Sequence, residues 1–130
     1  MRTARFAASL VVALLLVGCA SGFEDVVGPD ADGTQVDIGA GRVLRVELPS
    51  NPTTGYGWQV MDLPEQLRQV GEIEYEADPV DEEIVGAGGT EILRFEGVEA
   101  GNGTLRLEYR RAWETTATPD DTFEIDVTVR

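Results

Sequence analysis

The chain has no histidine, no lysine and a single cysteine, Cys19. Without histidine, neither a Ser-His-Asp nor a Cys-His nucleophile can be assembled. With one cysteine as well, the side chains that dominate zinc sites are missing, and no metal or cofactor is expected. A pair of carboxylates could in principle work as in glycosidases. The acids, however, sit at the polar positions of alternating segments or in loops, and no pair stands out, so the chain is not expected to be an enzyme. No intrachain disulfide is possible, which leaves packing to stabilise the fold. All ten basic residues are arginines against 24 acids, a net charge of −14. Nothing basic is clustered, and such a surface repels phosphate backbones, which excludes nucleic acid as a partner. The longest largely apolar run, Phe6 to Val17, has 12 residues including Ser9, whereas a spanning helix needs about 20.

That run has another use. Arg2 and Arg5 precede it, and Leu16-Val17-Gly18-Cys19 ends it, the layout of a secretory signal. The last four residues resemble the lipobox of bacterial lipoproteins. The resemblance implies cleavage before Cys19 and a diacylglyceryl group on its thiol; a free thiol beside an ordinary cleavage site is the plainer alternative. Residues 1–18 are therefore expected to be a lipoprotein signal peptide, and the lipid at Cys19 would hold the protein in the cell envelope, on the outer side of the cytoplasmic membrane or in the outer membrane. Each buried methylene contributes roughly 0.8 kcal/mol, so two or three acyl chains anchor firmly. The mature chain of 112 residues would carry eight arginines against the same 24 acids, net −16. That length fits one domain, expected as a monomer. Residues 19–33 read as the lipidated cysteine and a flexible Gly-, Asp- and Pro-rich tether with a reach of roughly 20 Å. Asp30-Ala31-Asp32-Gly33 has the opening of a calcium loop but none of its later ligands.

From residue 34 to 130 the pattern is strand and turn. Leu44, Val46 and Leu48 alternate with Arg45 and Glu47; Leu105, Leu107 and Tyr109 with Arg106 and Glu108; Phe123, Ile125, Val127 and Val129 with Glu124, Asp126 and Thr128. A period of two marks half-buried strands. Weaker strands are expected over 34–38, 56–61, 69–76 and 90–96, and no stretch keeps a helical period. The predicted fold is an all-β, Ig-like antiparallel β-sandwich of about seven strands, with Tyr56 and Trp58 opening the third strand and entering the core.

If consecutive strands reverse direction, three connections meet at one end: 49–55, 85–89 and 110–121. In the first, Pro52 fixes its own φ and pushes Asn51 towards an extended shape. Asn51 can cap the turn, Gly55 permits positive φ, and Thr53 and Thr54 are small and stiff. This describes a narrow, rigid wedge. The second, Gly86-Ala87-Gly88-Gly89, is nearly bare backbone and can lie along a partner as a strand does; no helix or lysine follows to make it a phosphate cradle. The third carries Arg111 and Trp113, residue types enriched at interface hot spots.

The set NPTTGY (51–56), GAGG (86–89) followed by Phe95, and Arg111-x-Trp113 resembles the chagasin family, inhibitors of papain-like cysteine proteases. The resemblance covers about 34–130. It implies that Asn51, Pro52, Thr53, Thr54, Gly55 and Tyr56 form a wedge across the catalytic cysteine and histidine of a papain-like cysteine protease, without being cleaved. It implies that Gly86, Ala87, Gly88 and Gly89 lie along the non-primed side of the cleft, and that Arg111 and Trp113 clamp the other wall. The family has proline where this chain has Ala112, which weakens the expectation of a rigid third loop. A second function fits the same loop end, an Ig-like envelope lipoprotein that binds glycan or an assembly partner. A narrow threonine-tipped loop suits a deep slot better than a flat sugar.

Overall fold

The computed structural model describes residues 24–79, 88–114 and 116–130. The signal segment, Cys19, Gly86 and Ala87 lie outside the described residues. Among the described residues nine strands are formed: β1 (Glu24–Val27), β2 (Gln35–Ile38), β3 (Val43–Ser50), β4 (Tyr56–Asp62), β5 (Leu67–Gln69), β6 (Glu74–Ala77), β7 (Gly89–Gly97), β8 (Gly101–Arg111) and β9 (Asp121–Val129). They make two facing sheets, one in the order β1-β3-β7-β5 with β6 also on β7, the other β2-β9-β8-β4.

The alternating segments behave as their pattern requires. Leu44, Val46 and Leu48 of β3, Leu105 and Leu107 of β8, and Phe123, Ile125, Val127 and Val129 of β9 are buried in one core with Leu93, Phe95 and Trp58. Because successive side chains leave a strand on opposite faces, the same strands put their charges outside. The arginines there pair across strands: Arg94 meets Glu24 of β1 at 3.3 Å and Glu74 of β6 at 3.0 Å. Arg42 takes both oxygens of Asp25 in a fork, at 3.0 and 3.1 Å. The carboxylates hold the guanidinium groups of Arg42 and Arg94 above their ordinary pKa, chiefly through the hydrogen bonds to Asp25 and Glu74 respectively.

The structure departs from the expectations in several places. The sandwich is mixed rather than antiparallel: β1 runs parallel to β3, and β2 parallel to β9. Its described strands number nine rather than seven. The sequence predicts a tether up to residue 33, but Glu24–Val27 form β1, and the chain then crosses to the other sheet through a 3-10 turn, Pro29–Ala31. Four residues bounded by Gly and Pro are too short to show a period, and it is pairing with the edge of β3 that orders them. The strand expected over 69–76 is two, β5 and β6, because Gly71 between them adopts φ +69°. Trp58 is in the core, but Tyr56 is only half-buried.

Candidate functional site

Strand register brings the three connections to one end. Ser50 pairs with Gly89, which sets the 51–55 loop beside the β6–β7 connection. Tyr56 pairs with Arg111, which sets the other side of the same loop beside the β8–β9 connection.

The first loop is fixed from within. Asn51 is extended at φ −133° and ψ 89°, and Pro52–Thr54 form a single 3-10 turn closed by Gly55 at φ +81°. Asn51 Oδ1 accepts from the backbone N–H of Thr53 at 3.3 Å and from its hydroxyl at 2.5 Å. The Thr54 hydroxyl donates to the Asn51 carbonyl at 2.6 Å, and the Gly55 N–H to the Pro52 carbonyl at 3.0 Å. Both threonine hydroxyls are thus spent inside the turn, and the tip itself is exposed. A loop held by this many local bonds keeps its shape before it meets anything, so little ordering entropy opposes binding.

Beneath it lies a platform of aromatic rings. Tyr109 of β8 stands 5.4 Å from Tyr56 and 5.1 Å from Trp58, both tilted. Its hydroxyl accepts the Asn51 N–H at 2.9 Å. The Trp58 indole N–H donates to the Pro49 carbonyl at 3.0 Å, and the Trp58 backbone N–H to Glu91 of the opposite sheet at 3.2 Å. The two ends of the wedge are therefore pinned to both sheets. Neither Tyr109 nor Glu91 is marked as a site residue by its local sequence. Tyr109 reads there as one more apolar position of an alternating strand, and nothing local marks its hydroxyl as a partner for a loop 58 residues away.

Arg111 and Trp113 also face the wedge. Arg111 Nε donates to the Thr54 carbonyl at 3.2 Å, its guanidinium lies 4.6 Å from the centre of the Tyr56 ring, and Glu114 holds its other end at 3.3 Å. Trp113 is 69% exposed. A Cβ added to Gly55 would stand 2.5 Å from its Cη2, so the indole rests directly on that glycine. Gly55 is thus required twice, for its φ and for the space above it. Arg110, which no local motif marks, secures the third loop by donating to the carbonyls of Glu114 at 3.1 Å and Ala117 at 3.2 Å. Its charge meets Glu108 at 3.1 Å, a carboxylate buried to 7% exposure. These bonds tie the stretch after Ala112 back to β8.

Of the second loop, Gly88 and Gly89 are described. The Gly88 carbonyl accepts from the Asp78 N–H at 3.1 Å. A Cβ on Gly89 would run into the Glu76 carbonyl and the Tyr75 ring. Bare backbone is what the packing there admits. Between this loop and the wedge opens a shallow hollow of about 400 Å³, lined by Ser50, Asp78, Tyr109, Asp120 and Asp121 among others. Among the described residues, no group of three or more acids or cysteines could hold a metal ion.

Residues 37–127 match the family described as "Chagasin family peptidase inhibitor I42". Amoebiasin-1 of Entamoeba histolytica is 38% identical over 101 residues, 78% of this chain and 95% of that protein. Chagasin of Trypanosoma cruzi is 30% identical over 98 residues, 72% of this chain and 87% of that protein. The fold is shared with the crystal structure of a cysteine protease inhibitor from Entamoeba histolytica, with a TM-score of 0.72 at 21% identity, covering 82% of this chain and 96% of that one. With the wedge, Gly88–Gly89 and the Arg-x-Trp segment converging at one end of the sandwich, the chain belongs to the chagasin family of peptidase inhibitors.

Proposed function

We propose that the protein inhibits papain-like cysteine proteases reversibly, by seating the three-loop end of the sandwich in the active-site cleft. It is an inhibitor, not an enzyme. The observation that carries the mechanism is the locked turn at Pro52–Thr54, with Gly55 closing it and Trp113 seated on Gly55. A backbone held in this shape can fill the slot above a catalytic cysteine and histidine while its peptide bonds stay out of line for attack. Pre-organisation also slows dissociation, since most affinity differences among related complexes lie in koff. Gly86 to Gly89 would run beside the cleft as bare backbone. Trp113 would present its outer face to the opposite wall, while Arg111 keeps the wedge and that wall in register. The partner is a papain-like cysteine protease and the inhibitor acts as a monomer. Titration of active papain with lipid-free residues 20–130 tests this. Stoichiometric loss of activity, recovered on dilution with the inhibitor intact on a gel, is the expected result. Cleavage of the inhibitor, or no loss of activity, would refute it.

The proposal extends to location. The lipobox-like Leu16-Val17-Gly18-Cys19 supports a lipid anchor at Cys19 and a place on the envelope membrane. Cys19→Ser should abolish processing at that position and move the protein out of the detergent phase. A wild type that never enters that phase would refute the anchor.

A further inference from the structure

The direction of β1 bears on how an anchored molecule stands. Glu24 lies beside Val43 and Val27 beside Val46, with the two strands parallel. The chain therefore enters the fold at the pole where β3 begins. The wedge stands beyond the pole where β3 finishes, and Ser50 is about 24 Å from Val43 at roughly 3.4 Å per residue. The entry point is held down, with Glu24 paired to Arg94 at 3.3 Å and Asp25 to Arg42 at 3.0 Å. Four residues separate Cys19 from Glu24, so the two α-carbons can be at most about 18 Å apart in any conformation.

The same pole gathers the 39–42 turn, the turn between β7 and β8, and the segment leading into β5. The Val98 N–H donates to the Gln66 carbonyl at 2.9 Å, and the Ala40 N–H to the Arg130 carbonyl at 2.8 Å. On this pole Val98 is 49% and Leu63 44% exposed, and Ala40 and Ala100 are exposed with them. Glu65 and Glu99 are exposed there too, so headgroup charge does not draw the pole to an anionic surface; the acyl chains and apolar contact must do so.

We infer that the pole bearing Glu24, Leu63 and Val98 faces the lipid surface, and that the three inhibitory loops point away from it into the aqueous phase. This rests on lipidation at Cys19. The short link between lipid and β1 restricts tumbling, whereas a tether reaching to residue 33 would have left every orientation open. The anchored inhibitor then meets proteases that arrive from solution, with its wedge unobstructed by the bilayer.

The test uses the lipidated mature chain in phosphatidylcholine vesicles containing nitroxide-labelled lipid. Val98→Cys and Thr116→Cys each place one free thiol for a small fluorophore, the first at the entry pole and the second in the exposed part of the third loop. Quenching at position 98 should exceed that at 116 at least threefold, and vesicle-bound protein should inhibit papain with an association rate within twofold of the lipid-free form. Equal or reversed quenching in vesicle-bound protein, or inhibition lost on binding, overturns the orientation while leaving the anchor intact. A chain that carries no diacylglyceryl mass and does not bind vesicles overturns the anchor, and the orientation falls with it.

Discussion

Replacing Gly55 by alanine separates the two demands placed on that residue. At φ +81° an L-residue pays roughly 1–2 kcal/mol for the left-handed backbone, partly offset by the ~0.4–1 kcal/mol that alanine removes from unfolded-chain entropy. The net cost is about 1 kcal/mol, which lowers the melting temperature by roughly 4–8 °C in a domain near this size. The new Cβ would also meet Trp113 Cη2 at 2.5 Å. That atom is the far end of an exposed side chain, so the clash relaxes cheaply in the free protein by moving the indole. The cost reappears on binding, because the third loop has lost its seat on the wedge. The inhibition constant for a papain-like protease should therefore rise tenfold or more, ~1.4 kcal/mol, beyond what the melting shift accounts for. In a Trp113→Ala background there is nothing to displace, so Gly55→Ala should weaken inhibition much less. Inhibition constants and melting curves for the wild type, both single variants and the double variant close the cycle. Additive losses in inhibition would show that Trp113 and Gly55 act independently, and the reasoning would be wrong.

Tyr109→Phe removes the acceptor of the Asn51 N–H, at 2.9 Å and part-buried; an unsatisfied donor costs ~1–3 kcal/mol, visible as a lower denaturant midpoint with a larger proportional loss of inhibition. Arg111→Ala should loosen the wedge by freeing the Thr54 carbonyl and raise the dissociation rate several-fold, whereas Arg111→Lys, which lacks the forked guanidinium that reaches both Thr54 and the Tyr56 ring, should recover only part of it. Ala112→Pro, worth up to ~0.4–1 kcal/mol where a loop is loose, should tighten inhibition less than twofold, because Arg110 already clips the loop to β8. In an Arg110→Ala background the same proline should help more; a proline gain that ignores Arg110 would refute that role.

The sequence by itself determined what could be decided by local chemistry. Alternation in β3, β8 and β9 specified which faces are buried, since a one-residue slip would turn every Leu and Val outward. Asn51-Pro52 and Gly55 specified the turn, because backbone restriction acts on neighbours in the chain, and the resulting loop has the extended Asn, the 3-10 turn and the left-handed glycine. The glycines at 88 and 89 announced bare backbone, although not that Tyr75 and Glu76 would crowd against it. Tertiary structure decided everything that joins distant segments. Whether Glu24–Val27 is tether or strand depends on an edge of β3 that exists only once the sheet is built. The same four residues on an isolated chain have no partner for their backbone groups and no period to betray them. That Arg111 turns inward to the Thr54 carbonyl and that Trp113 rests on Gly55 both depend on the pairing of Tyr56 with Arg111. Residues 55 apart in sequence become neighbours only when two strands of one sheet set the distance between them.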